Sequence, residues 1–405
     1  MKKIAKLSLV AAVAVAGLTT ANAQPLEEAI KNVDVSGSVV YRYNDYKNDV
    51  AGSTTKDGGD NNYKVALNLA SKVNEDVKFN SRFLVAGGDL GFASLDTSDK
   101  ADTNPGVSLS NAYFGYTGIM NTTVNVGKQG LTTPWTVAVD SDNNEQTGTG
   151  ILALSTMGPV TLAGAFFNQT NLDTSTDAKI PAGAVKGQLD GTADIATIGV
   201  IGVAGPVTLD AWYLDLADTF DTFTVGAKSS LDLSGTKVGI DARYASLSLD
   251  TPVAAALTNG KEDNAMAKLV VTADAGLVDG KIAYAMTDKD GGLTALDNDA
   301  TTTLLGWNLT SNGKVDADYW QAVLGFDILS NLNLSANYGN LQYSADNISG
   351  AADMEEEEIY AQLLYKMSKN LNTYVRYGTY TVENTTSNKK SIDDTAGRLQ
   401  VEYTF

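Results

Sequence analysis

Two groups of charged side chains in this sequence could do chemistry. Between Gln129 and Thr149 the chain carries Asp140, Asp142 and Glu145 beside the amides Asn143, Asn144 and Gln146, with no basic residue in the stretch. Carboxylates gathered in a confined passage focus negative potential and enrich cations; on an exposed loop the same residues are simply solvated. Against them stand five arginines, Arg42, Arg82, Arg243, Arg376 and Arg398, and Lys64. The missing residue types narrow the chemistry further. The sequence has no His and no Cys, which removes Ser-His-Asp hydrolysis, His-ligated metals, thiol catalysis and disulfides. No acids pair at a spacing that suits acid–base catalysis, so an enzyme is not expected.

A calcium loop is the obvious over-reading. Asp140-x-Asp142-x-Asn144 begins like one, yet Glu145 stands where glycine is needed and Ile151 where the closing glutamate should be. A looser Ca²⁺ site built from Asp140, Asp142 and Glu145 is the remaining metal candidate; no other cofactor is expected. The acidic run Glu355 to Glu358 reads as an exposed loop end that could bind divalent ions bridging lipopolysaccharide.

The elements that would position these residues follow from patterning. Lys2, Lys3 and Lys6, the apolar run Leu7 to Leu18 and Ala21-Asn22-Ala23 form a secretory signal expected to be cut after Ala23. Residues 24–32 then make a periplasmic segment. The mature chain carries 26 Lys+Arg against 48 Asp+Glu, net −22, which repels nucleic acid and favours cations. From Val33 to Phe405, apolar and polar residues alternate in runs of about 7 to 12, separated by Gly, Asn, Asp, Ser and Thr. In the last run Leu399, Val401, Tyr403 and Phe405 fall on one face and Arg398, Gln400, Glu402 and Thr404 on the other. About 18 such strands are predicted. Their connections read as a strict alternation of short turns with long polar loops such as 44–61, 88–108, 129–149, 169–192 and 288–318.

That layout predicts an all-β transmembrane antiparallel barrel over 33–405, with short periplasmic turns and long extracellular loops. Closure is what allows a sheet to sit in lipid, because it satisfies every backbone donor and acceptor. By strand parity the arginines lie on the polar face. Closing the barrel sets Arg376, Arg398, Arg42 and Arg82 on neighbouring strands with Lys64 between them, a basic wall opposite the acidic loop. The alternative is that these cations pair with Glu402 or Asp34 and only neutralise the interior. On the outside, Tyr377, Tyr403 and Phe405 near one rim and Trp320 near the other suit interfacial girdles. Tyr403 and the terminal Phe405 also resemble the assembly signal of such barrels.

Several stretches resemble the Campylobacter-type major outer membrane porin family. They are Lys6 to Ala12, Ala21 to Ala23, Pro25 to Gly37, Tyr41-Arg42-Tyr43, Gly127-Lys128-Gln129 and Arg398 to Phe405. The resemblance is close at both ends and one of pattern in the middle. It implies an 18-stranded homotrimer in outer-membrane lipid and lipopolysaccharide, with a loop folded inward after the fifth strand and a weak preference for cations. The expected function is a porin passing ions and small hydrophilic solutes. A surface-layer or adhesin-type structural protein, which would share the acidity and the lack of Cys, is the alternative.

Overall fold

The computed structural model describes residues 33–50, 57–87, 90–94, 106–172, 191–258, 260–344 and 353–405. The expected signal, 1–23, and the segment 24–32 lie outside these residues. Period-2 alternation becomes a single antiparallel sheet. Its strands run β1 (Val33–Asn48), β2 (Gly58–Lys72), β3 (Val77–Val85), β4 (Ala93–Ser94), β5 (Val107–Ile119), β6 (Thr122–Gly130) and β7 (Thr147–Met157). Next come β8 (Val160–Thr170), β9 (Ile195–Ala204), β10 (Val207–Leu216), β11 (Phe220–Leu233), β12 (Thr236–Leu249) and β13 (Asp263–Asp274). The remainder are β14 (Val278–Thr287), β15 (Val315–Leu329), β16 (Leu332–Ser344), β17 (Asp353–Lys366), β18 (Leu371–Asn384) and β19 (Lys389–Thr404). A short helix, α1 (Thr251–Leu257), lies between β12 and β13.

The two-residue β4 belongs to a connection and pairs with β2; the other eighteen strands are the staves of a closed barrel. Each stave pairs antiparallel with its neighbour, and β1 against β19 closes the ring in the register Ser38↔Thr404 to Asn48↔Asp394. The fold is therefore all-β, as the alternation predicts. No helix among the described residues is long and apolar enough to cross a membrane.

One end of the barrel is closed by tight turns. Gly205, at φ +58°, and Pro206 join β9 to β10; the left-handed angle suits glycine, and proline's fixed φ suits the position after it. The other end carries the long connections, with two departures from strict alternation. The links 217–219 and 385–388 are short as well, because β11, β18 and β19 take up residues 220–221, 383–384 and 389–394 that alternation alone does not assign to strands. Strand extension also trims the loop predicted over 129–149 to residues 131–146.

The outer surface is apolar: Val39, Leu209, Phe223, Leu269, Phe326 and Leu363 are among its exposed side chains. A water-soluble protein does not expose a belt of this kind, whereas lipid solvates it. Inside, the barrel is partly filled. Leu131 and Trp135 from the 131–146 connection and Val253 from α1 pack against inward residues such as Phe167, Ile195 and Leu214. A fully buried Leu contributes roughly 1.5–3 kcal/mol, so this apolar patch holds the inward segments on one side of the bore.

The seam between first and last stave depends on Gly37. Gly37 N–H donates to Phe405 O at 2.9 Å, and Phe405 N–H donates back to Gly37 O at 3.0 Å. A Cβ at position 37 would sit 2.2 Å from Ala66 O and 2.7 Å from the Phe405 ring. Gly37→Val should therefore lower the fraction of protein that reaches the compact, heat-modifiable form on a detergent gel. Undiminished yield of that form would show that the seam tolerates a side chain.

Candidate functional site in the barrel lumen

Parity and closure bring Arg42 (β1), Lys64 (β2), Arg82 (β3), Arg376 (β18) and Arg398 (β19) onto adjacent inner faces. Arg376 and Arg398 stand directly opposite each other, and Arg42 faces Gln400. The 131–146 connection folds inward against this wall. Glu145, 2% exposed, accepts hydrogen bonds from Lys64 Nζ at 2.9 Å and from Arg82 Nη2 at 2.7 Å, with Arg82 Nε also close. Ser110 Oγ donates to its other oxygen. Burial alone opposes a charge there, but the hydrogen bonds and positive fields of Arg82 and Lys64 outweigh it and hold the carboxyl below its ordinary range.

The other two acids of this loop have different surroundings. Asp142 receives Arg42 Nη1 at 2.8 Å and Arg398 Nη1 at 3.5 Å, with its side chain 52% exposed. Asp140 is buried and accepts from the backbone N–H and side-chain amide of Asn144, both at 2.8 Å, a local turn contact. The three carboxylates therefore point to separate partners, and no group of three or more acids that could hold a metal occurs among the described residues. The Ca²⁺ candidate thus has no assembled ligand set.

A second inward loop, 288–314, was not recognised from the sequence, where 288–318 reads as a long outer connection. It packs on the first loop: Leu296 N–H donates to Trp135 O at 3.0 Å, Thr302 N–H to Pro134 O at 3.2 Å, and Gln146 Nε2 to Asp297. Ser141 donates from both N–H and Oγ to Asp299 Oδ2 at 3.1 and 3.0 Å. A signal was present, since Leu293, Leu296, Leu304, Leu305, Trp307 and Leu309 are too many large apolar residues for a solvated loop.

The acidic run Glu355 to Glu358 corrects a second expectation. It is no loop end: it lies in β17, so its members alternate between faces. Glu356 and Glu358 point inward and are buried, at 4% and 2% exposure. Glu358 accepts the backbone N–H groups of Trp307 and Asn308 at 2.9 and 2.8 Å. Glu356 pairs with Lys314 and accepts from Tyr343 and Tyr380 hydroxyls at 2.8 and 3.0 Å. Two of the four acids thus anchor the second loop at its far end.

Between the two loops and the basic wall lies a cavity of about 450 Å³, reached by Asp142, Asp299, Trp307, Tyr360, Arg376 and Arg398. The Arg376 guanidinium stands 4.9 Å from the ring centres of both Trp307 and Tyr360 and 5.4 Å from that of Tyr374. On the outside of the barrel, Tyr403 and Phe405 stack at 5.9 Å and are exposed, at the end that carries the tight turns.

A closed apolar-belted barrel with charged loops drawn into its bore is an architecture that outer-membrane channels share. Residues 1–405 match the model of the Campylobacter major outer membrane protein family, and the chain belongs to that family. Solved barrels of Pseudomonas aeruginosa share the fold at low identity. OpdL superposes with a TM-score of 0.73 at 18% identity, covering 93% of this chain and 99% of its own. OpdK, crystallised with vanillate, gives 0.70 at 15%, covering 92% and 98%. OccK2 (OpdF), in complex with glucuronate, gives 0.69 at 18%, also covering 92% and 98%. No curated protein is similar enough in sequence to count as a match.

Replacing Glu145 by Gln should leave Lys64 and Arg82 without their counter-charge. Losing one partner of a buried pair costs on the order of 3–5 kcal/mol, so E145Q should unfold at lower denaturant in detergent. Because the folded carboxyl lies below its unfolded value, its contribution is present at pH 7. It is lost as pH falls through the folded value, below the ordinary Glu value of about 4.3. The gap between parent and E145Q should therefore narrow as the solution is acidified; a gap that does not narrow with falling pH would contradict the ion-pair account.

Proposed function

We propose that the protein is a porin through which ions and small hydrophilic solutes diffuse passively, with a modest preference for cations. The observation that carries this reading is the cavity between the inward loops and the arginine wall, lined by charges of both signs inside a closed barrel. Such a passage admits hydrated solutes and disfavours apolar ones, because an apolar solute leaves the charged groups unpaired on one side. Vanillate and glucuronate, found with two barrels of the same fold, are small carboxylated molecules of a size that suits this use.

The preference for cations rests on the mature net charge and on Asp142 and Asp299 in the cavity; it stays modest because Arg376, Arg398 and Arg42 oppose it. Asp142 and Glu145 on one side and Arg42, Lys64, Arg82, Arg376 and Arg398 on the other are proposed as the constriction, with Asp140 turned away from it at the Asn144 turn. A signal removed after Ala23 and a homotrimer in lipopolysaccharide-bearing outer membrane complete the proposal. No feature of the lumen favours the surface-layer alternative.

Asp142→Asn tests the assignment. With its carboxylate gone, Arg42 and Arg398 face the passage uncompensated, so the zero-current potential in a KCl gradient should move toward anion preference. Asp140→Asn, at a buried turn position, should leave it near the parent value. At 1 M salt, where the Debye length is about 3 Å, the D142N shift should shrink. An unchanged potential in D142N at low salt would place Asp142 outside the ion path.

A further inference from the structure

The cavity holds two charges of opposite sign that the protein does not pair. Arg376 donates from Nε and Nη2 to the single oxygen Oε1 of Gln362, at 3.0 and 2.8 Å; Nη1 donates to nothing, and no ion pair forms, among the described residues. It is held in place by rings rather than by a carboxylate. Glu358, an acid whose charge acts on it, is engaged with backbone N–H groups. Asp299 is the counterpart. Both bonds from Ser141 fall on Oδ2, Oδ1 accepts none, and Asp299 forms no ion pair among the described residues. Both side chains line the same cavity.

Both side chains are partly exposed to the cavity, so Arg376 keeps a donor and Asp299 an acceptor free for a solute. Arg376 sits on a stave among aromatic rings, and Asp299 sits on the second loop, tied to Ser141 of the first. A solute with one charge satisfies only one of them. A solute that carries a carboxylate and an ammonium a few bonds apart satisfies both, and the face of Trp307 offers its side chain a surface.

Resting on the porin reading, we infer that this cavity is a weak binding subsite for small zwitterions of the α-amino-acid class. The carboxylate meets Arg376, with Arg398 beside it, and the ammonium meets Asp299, with Asp142 beside it. Selection at this subsite then comes from charge separation within the solute rather than from its net charge.

The test uses the full-length protein in planar bilayers, with L-glutamine as probe and butyrate and butylammonium as single-charge controls. L-Glutamine should block the current at a concentration at least tenfold below that needed for either control. Arg376→Gln and Asp299→Asn should each raise its half-blocking concentration fivefold or more, in protein shown to form the compact heat-modifiable barrel. Equal block by all three probes, or an unchanged half-blocking concentration in both variants, overturns the inference. In a parallel arm, L-glutamine should change the tryptophan emission of the detergent-solubilised parent and not that of Trp307→Phe. Binding without any conductance would sink the porin reading and leave the subsite standing; conductance without block or fluorescence change would do the reverse.

Discussion

The lumen depends on one buried interaction, the pairing of Glu145 with Lys64 and Arg82. Neutralising inward cations is a constraint on any barrel that carries Arg and Lys on adjacent staves, because like charges in a confined bore repel and each pays a desolvation cost. This chain meets the constraint with a carboxylate delivered by a loop rather than by a neighbouring strand. The consequence is geometric: to place Glu145 between β2 and β3, the 131–146 connection must descend into the bore. Once there, it carries Asp142 to Arg42 and Arg398.

From that position the rest of the interior follows. Trp135, drawn in with the loop, offers its carbonyl to Leu296 and Asp297, and so provides a ledge on which the 288–314 loop settles. The far end of that second loop needs its own anchor, and β17 supplies it through Glu356 on Lys314 and Glu358 on the backbone of Trp307 and Asn308. Charge-assisted hydrogen bonds to backbone N–H groups are among the stronger local contacts, and Glu358 makes two. The loops thereby pack on the apolar inner residues of one side of the bore and reach the basic wall through Glu145 and Asp142.

Much of this was legible in the sequence, and the reasons are physical. Period-2 alternation is forced on every stave by lipid on one side and a polar bore on the other, so the two faces of β19 from Arg398 onward could be read from the sequence. The basic wall was legible too, because parity fixes the face and closure fixes the neighbours; Arg376, Arg398, Arg42, Lys64 and Arg82 stand on the inner faces that parity assigns. What alternation cannot reveal is structure beyond the lipid belt. There the outward residues become polar, and the contrast that marks a strand disappears. Four consecutive glutamates, Glu355 to Glu358, therefore looked like a loop although they are strand. The 288–314 loop was missed for a related reason: its place in the bore is set by contacts with distant residues, and only its surplus of leucines hinted at burial. Within 131–146, spacing grouped Asp140 with Asp142 and Glu145, whereas the turn at Asn144 turns Asp140 away from the other two.

The central claim is that the 131–146 loop stands inside the bore. The absence of cysteine makes a direct measurement available, since a single Ser141→Cys is then the only thiol in the protein. A charged methanethiosulfonate reagent added during single-channel recording reports its position. The account predicts a stepwise fall in conductance on modification, with cationic and anionic reagents shifting ion preference in opposite directions. Covalent labelling of Cys at 141 that leaves both conductance and ion preference unchanged would contradict it, placing the loop outside the passage.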